Sequence, residues 1–550
     1  MLHKYAAHPQ KWRALVKFLS LFSLCLFLAI SCGRQESAPP VSTNQADRII
    51  IGMTSKIRTL DPADAYENAS GTLLYNMGER LYTYEPGTTT LKPQLATELP
   101  KISADGLTYT IPLRRGVVFH DGTPFNAEAM AFSLKRFIEN QGSPSALLSN
   151  TVESIKAIDD YQLEIKLKKP FAAFPKLLTF SGACAISPKA YEIGPGKFKP
   201  DTFVGTGPYK LAKYGTDSIQ LDVFAQYWGE KPANKGIDIQ IFSSSSNLYN
   251  TFRTGAVDIA YQSMDLEQIA SLEKEAASTG WQVISQPSKG IYYLTINLKS
   301  KPLDNLAVRQ ALAAAIDRPL LKERVFKGQA EPLYSLISQT LKDVYKPTFK
   351  EKYGDANVNK VTEYLSKAGY SKDNPLTLDL WYRSNLTSNS LVATTLKAAF
   401  EQKLGGAFKL NLQGVESTTA YNNLDKGIYP LFILDWSPDF LDADNYIEPF
   451  IACSKGSEAT GCEEGASKQQ GSFYYSERAN KLIDKQRQEQ NPEARQKIFA
   501  ELQELIAQDV PFIPLWQGKD YLFAQKNLQG ARLEPTQQLY FGALAKTVKS

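Results

Sequence analysis

The sequence predicts a mixed α/β protein, of α+β character and not a doubly wound parallel sheet, and three observations carry that expectation. Tyr161-Gln-Leu-Glu-Ile-Lys-Leu167 alternates apolar and polar residues with strict period two, the mark of a half-buried strand. Glycine-punctuated stretches read as hairpins, and helical patterns stand singly between them instead of following every strand. No repeat of about 20 to 50 residues runs through the chain, which argues against a solenoid.

At the N-terminus, Lys4, Lys11, Arg13 and Lys17 lead into an apolar stretch from Phe18 to Ile30 that stops at Ser31-Cys32. The stretch is short for a bilayer span of about 20 residues and ends at a small residue before a cysteine, so residues 1–31 read as an export signal cleaved before Cys32. An uncleaved anchor is the alternative. In either case the rest of the chain works outside the cytoplasm. By resemblance to bacterial lipoproteins, the Cys32 thiol carries a diacylglycerol and the new amino terminus a further acyl chain, and multiple chains anchor stably where one does not. Residues 32–47, rich in Ser, Pro, Gln and Asn, offer little to bury and read as a flexible tether. Arg48-Ile-Ile-Ile-Gly-Met-Thr54 is a strand-type run, Leu60-Asp-Pro-Ala-Asp64 breaks it, and Gly71 to Leu81 is helix-like. Gly106 to Gly122 alternates like a hairpin, with turns at Asp105-Gly106 and Asp121-Gly122. A helix starts near Asn126 and carries Ala129, Phe132, Ser133 and Phe137 along one side.

A chain with 43% hydrophobic and 22% charged residues over 550 positions has material for more than one core, and two or three domains are expected. The four basic residues of the leading segment account for most of the formal +5, leaving about +1, so no nucleic-acid partner is implied. His3 and His8 leave with the signal and only His120 remains, too few for a zinc hydrolase or a histidine-based triad. The GxSxG, HExxH and Walker A patterns are absent as well, which lowers the expectation of an enzyme. Setting aside Cys25 and Cys32, three cysteines stay. The polar segment from Cys453 to Cys462 suits a loop closed by a local disulfide, whereas Cys184 sits among small apolar residues as a buried, inert thiol.

Asp105-Gly-Leu-Thr-Tyr-Thr-Ile-Pro-Leu-Arg-Arg-Gly-Val-Val-Phe-His-Asp-Gly-Thr-Pro-Phe-Asn-Ala-Glu128 resembles the diagnostic stretch of the peptide/nickel class, family 5, of bacterial extracytoplasmic solute-binding proteins. Further motifs follow in that family's order: Gly205-Thr-Gly-Pro-Tyr209, Thr254-Gly-Ala-Val-Asp258, Asn297 to Arg309, Ala315-Ile-Asp317, Asp435-Trp-Ser-Pro-Asp439 and Val510-Pro-Phe-Ile-Pro-Leu515. The resemblance implies a type II periplasmic-binding-protein fold, two lobes in three domains with a hinge. Domain I falls at 48–80, 204–297 and 518–550, domain II at 81–203 and domain III at 298–517. Chain crossings between lobes suit closure around a ligand, with the pocket at the interface.

Most motif residues have structural readings: His120 a satisfied turn histidine, Arg309 and Asp317 helix braces, Tyr209 a packing residue. Asp439 differs. In peptide-binding members the aspartate three residues after this tryptophan receives the ligand's α-ammonium, and Asp439 after Trp436 matches it; the competing reading is a solvated acidic turn with Asp435, Asp442 and Asp444. Asp442-Ala443, where the family usually has Asp-Pro, puts the turn's detailed shape in question. Alignment to the family makes Tyr66-Glu67-Asn68 one backbone edge for an extended peptide and Asp435-Trp436-Ser437 the other. Arg383 is the candidate cation for the ligand carboxylate, and Trp381, Tyr382 and Tyr446 are candidates for side-chain subsites. The expected protein is a monomeric, lipid-anchored receptor that needs no cofactor or metal and passes oligopeptides or dipeptides to a permease driven by ATPase subunits. A receptor for another solute, such as a nickel chelate, and an exported hydrolase are the competing readings.

Overall fold

A computed structural model describes residues 47–261 and 264–547. The signal, Cys32 and all of the tether but its last residue lie outside the described residues. The described part is mixed α/β, and its largest sheet, of eleven strands, has two halves that meet at two long antiparallel strands, Gln282–Ile296 and Phe512–Ala524. At roughly 3.3 Å per residue, the fifteen residues of the first reach about 50 Å.

On one side of this pair, Ile49–Met53 runs parallel to Gly236–Ile241 and to Ile259–Tyr261, and the hairpin Tyr209–Tyr214 with Ser218–Val223 closes the edge. The run Ile49-Ile50-Ile51 suits a strand buried on both faces. Gly52 is required by space, because a Cβ there would lie 2.4 Å from Leu248 Cδ1. On the other side, Leu376–Arg383 lies parallel to both Phe408–Val415 and Leu431–Trp436, with helix Thr387–Leu404 as the crossover.

A separate antiparallel sheet of four strands joins Lys101–Ile102, Thr108–Pro112, Gln162–Leu167 and Val152–Asp159. The alternation of Tyr161–Leu167 is that of an observed strand, but the hairpin expected over 106–122 is not: Thr108–Pro112 pairs across to Gln162–Leu167 and turns at Asp105-Gly106 back to Lys101–Ile102. Residues 113–124 form a looser turn with single bridges. Helix Ala127–Glu139 packs on this sheet, begun by the Asn126 side chain, which accepts from Ala129 N at 2.9 Å. The expected helix to Leu81 is Asn68–Met77, stopped at Gly78, where a Cβ would lie 2.9 Å from the Phe203 ring.

Buried apolar residues gather into three large clusters and a small fourth. One draws chiefly on residues 291–516, one on 81–185, and one on 49–261 with 522–544. Cys453 and Cys462 are disulfide-bonded with Cα atoms 5.7 Å apart, closing the small hairpin Lys455–Ser457 and Gly461–Glu464. Cys184 is a buried free thiol whose pKa burial pushes up to about 12.

Candidate functional site

A cavity of about 300 Å³ opens where the three clusters approach each other, and its polar lining includes Tyr66, Asn68, Lys289, Ser437 and Asp439. Each is placed by its own local chemistry. Tyr66 follows the Leu60-Asp-Pro break, which a buried ion pair anchors: Arg136 donates to both Asp61 oxygens at 2.7 Å, and Lys199 N donates to Asp61 Oδ2 at 2.7 Å. Breaking one partner of such a pair costs about 3–5 kcal/mol, so this corner is held firmly. Asn68 opens the helix Asn68–Met77, so residues 66–68 lead from extended backbone into a helix and do not form a strand.

Asp439 follows the end of strand Leu431–Trp436. Trp436 Nε1 donates to Asn445 O at 2.7 Å and Asp439 N donates to Asn445 Oδ1 at 2.8 Å, closing the turn like a clasp. The four acids expected here divide three to one. Asp435 pairs with Arg383; Asp442 is held bidentate by Arg495 at 2.7 Å with Lys176 at 3.1 Å; Asp444 is held by Arg487 at 2.8 Å. Asp439 alone of the four has no contact cation, its Oδ1 accepting instead from the Tyr66 hydroxyl at 2.7 Å. Burial raises the Asp439 pKa, while the Tyr66 hydrogen bond and the Lys289 charge hold it down. The turn is therefore not a solvated acidic cluster. Asp442 in particular is buried and also accepts from Asp444 N, so the Asp442-Ala443 departure is compensated internally.

Three expected site residues, Asp435, Arg383 and Tyr446, are not in the cavity lining, and neither are the subsite candidates Trp381 and Tyr382. Arg383 does not line the cavity: its guanidinium is buried, bound to Asp435 and donating to the Tyr421 hydroxyl at 2.7 Å, an internal role that local sequence could not reveal. Tyr446 is fully buried, and its hydroxyl donates to Lys289 O at 2.7 Å. It supports Lys289, and with it the cavity wall, from behind.

Lys289 is the residue that sequence reading missed. It sits where the pairing of the two long strands slips between Pro287 and Ile291, a bulge that re-aims side chains. Tyr446 and Gln517 pin the bulge by donating to Lys289 O and Ser288 O. Lys289 Nζ donates to Pro438 O at 3.1 Å, one peptide unit from Asp439. Burial lowers its pKa, opposed by Asp439 and Asp520. The break Pro287-Ser-Lys-Gly290 inside an otherwise strand-like run was the available signal.

The other motif residues have structural places. His120 bridges Gly207 O at 3.0 Å and Gly205 N at 3.3 Å, and burial lowers its pKa to about 4. Arg309 donates to the carbonyls of Leu303 and Asp509, Asp317 caps a helix at Leu320 N, and Tyr209 is buried against Asn234. Among the described residues, no group of three or more His, Cys, Asp or Glu is arranged to hold a metal ion.

Residues 90–458 match the family described as bacterial extracellular solute-binding proteins, family 5 Middle. The chain belongs to that family. Family 5 members are solute-binding proteins of ABC importers and act outside the cytoplasm. The glutathione-binding protein GsiB of Escherichia coli strain K12 is 28% identical over 507 residues, covering 89% of this chain and 93% of that protein. Among solved structures, HbpA2 from Haemophilus parasuis superposes with a TM-score of 0.78 at 20% identity, over 91% of this chain and 100% of that one. The periplasmic binding protein DppA from Helicobacter pylori, in complex with the peptide STSA, gives 0.69 at 23% identity, over 91% and 98%. The family 5 chain described here thus has the type II periplasmic-binding fold.

Proposed function

We propose that this protein is the lipid-anchored receptor of a peptide importer, capturing oligopeptides or dipeptides by closure about a hinge and handing them to a permease. Domain I comprises 48–80, 204–297 and 518–550, domain II 81–203 and domain III 298–517, with Cys32 as the lipid attachment point. The observation that carries the reading is the division of the four acids. Three have arginine partners, while Asp439 faces the cavity with one oxygen engaged by Tyr66 and the other without a hydrogen-bond partner among the described residues. A carboxylate so placed suits a desolvated ammonium. A cavity near the lower end of ligand-pocket volumes, about 300 Å³, suits a short peptide better than a long one.

Asp439→Ala is expected to weaken capture of free-amine peptides by about 2–5 kcal/mol, roughly thirty- to several-thousand-fold, against about 0–1 kcal/mol for an exposed aspartate. N-acetylation of the ligand removes the same interaction, so it weakens binding to the wild type and adds little in the variant. Equal binding of acetylated and free peptides to the wild type, measured by calorimetry, sinks the ammonium-anchor role and moves the non-peptide solute reading ahead.

A further inference from the structure

A second cavity, of about 310 Å³, adjoins the first. Asn68 lines both, and so does the segment Thr536-Gln537-Gln538, whose outer two residues border the first cavity and whose middle residue borders the second. The strand bulge serves both as well: Lys289 borders the first cavity, while Ser288 Oγ accepts from Gln537 Nε2 at 2.7 Å. Gln537 Nε2 also donates to Asp520 Oδ1 at 2.8 Å, and Gln537 is held at a φ of 67°, an uncommon setting for a residue other than glycine. Two acceptors are left over. Asp520 Oδ2 and Gln537 Oε1 are buried and have no hydrogen-bond partner among the described residues. Lys519, next to Asp520 in the strand, does not serve them, because its Nζ is taken by Glu331 Oε1 at 2.9 Å and Gly328 O at 3.1 Å. Lys289 acts on Asp520 through its charge, with its Nζ bound to Pro438 O. Burial pushes the Asp520 pKa up to about 6 against the pull of Gln537, Ser288 and Lys289, the behaviour of a carboxylate short of a contact cation.

A group that fills this cavity must bring donors and positive charge. A buried acceptor without a donor is unfavourable, and a ligand that supplies one gains that free energy back. A neutral amide offers N–H groups but leaves the carboxylate uncompensated, and an ammonium compensates it as a compact point charge. A guanidinium carries positive charge and a planar fork of N–H groups, so it can serve a carboxylate and an amide oxygen together. The walls formed by Ala260, Met264, Ile269 and Phe523 are apolar and suit the methylene stem behind such a head. Because the two cavities share Asn68, a peptide held at Asp439 has its nearest side chains one wall away from Asp520. We propose that the second cavity is a specificity subsite in which Asp520 and Gln537 take a guanidinium side chain of the ligand, so that peptides with arginine close to the amino terminus are preferred. This rests on the peptide reading above and names a side chain that reading left open.

The test is calorimetry on the purified full-length protein, wild type and Asp520→Asn, with Ala-Arg-Ala and Ala-Ala-Arg, each against its counterpart carrying citrulline, the neutral isostere of arginine. In at least one of the two frames the wild type should bind the arginine ligand at least about tenfold more tightly than the citrulline ligand, in line with hydrogen bonds to charged groups. Asp520→Asn should lose that ratio through weaker binding of the arginine ligand. If Asp520→Asn does not fold, the same peptide with symmetric dimethylarginine serves on the wild type: methylation keeps the charge but blocks the paired hydrogen bonds, and about tenfold weaker binding is expected. Equal affinity for arginine and citrulline ligands in both frames, a preference that survives Asp520→Asn, or unimpaired binding of the dimethylated ligand overturns the proposal. Equal affinity in both frames, with binding abolished by N-acetylation, leaves the peptide reading standing and this proposal alone refuted. Binding of none of these peptides overturns both.

Discussion

At Asp442, burial and charge pull in opposite directions. Burial by itself would raise the carboxyl pKa, but Arg495 and Lys176 more than offset it and hold the group well below the ordinary carboxylate range. A carboxylate with a depressed folded pKa adds stability above its unfolded pKa of about 3.9, and that stability is lost as pH falls toward the folded value. Arg495→Met is therefore expected to cost about 3–5 kcal/mol near neutral pH, because it leaves a buried charge short of a partner. The penalty should shrink as pH drops below about 4 and the variant's Asp442 takes up a proton. Denaturant titrations at both pH values check this, and a gap unchanged across the range would contradict it. The same residue shows what sequence can and cannot carry. The run Asp435 to Asp444 marks a cluster of acids, but which have partners depends on Arg383, Arg487 and Arg495, up to 53 positions away. Asp439 could be named from its place after Trp436; its lack of a contact cation could not.

Elements were legible where short-range pattern governs them. The Ile49–Met53 strand follows from a continuous apolar run and the Asn126 helix from a cap followed by one-sided packing, both local signals. The 106–122 hairpin was misread because alternation gives a strand's faces and not its partner, which for Thr108–Pro112 lies about fifty residues onward. Lys289 was missed for a related reason: a bulge is a property of the pairing, and one strand alone records only its breaks. The hairpin bearing Cys453 and Cys462 supports a prediction at this scale. Peptide mapping under non-reducing conditions should recover the two joined, and replacing both with Ser should lower stability by about 2–3 kcal/mol, as loop-closure entropy implies. Two free thiols in exported protein would count against it.

For the whole molecule, the order of basic residues, apolar stretch and Cys32 makes anchoring the property to test. Cys32→Ser protein should incorporate no acyl label and should leave the membrane fraction; labelling that persists in the variant would refute the lipid attachment. The long strands carry a mechanical consequence of their own. Leu431–Trp436 flanks the pair at Ile291 to Ile296, and Ile259–Tyr261 flanks it at Leu522 to Ala524. Among the described residues, only the short strand Ala330–Pro332 borders the pair between those stretches. Narrow ribbons twist more than wide sheets, and a bulge adds local bend, so torsional compliance concentrates there. Lys289 sits on that soft segment while Asp439 is fastened to the turn beside it. A few degrees of ribbon twist would therefore change the gap between the two charges that border the cavity, so the set of this joint and the shape of the pocket's polar end are mechanically linked.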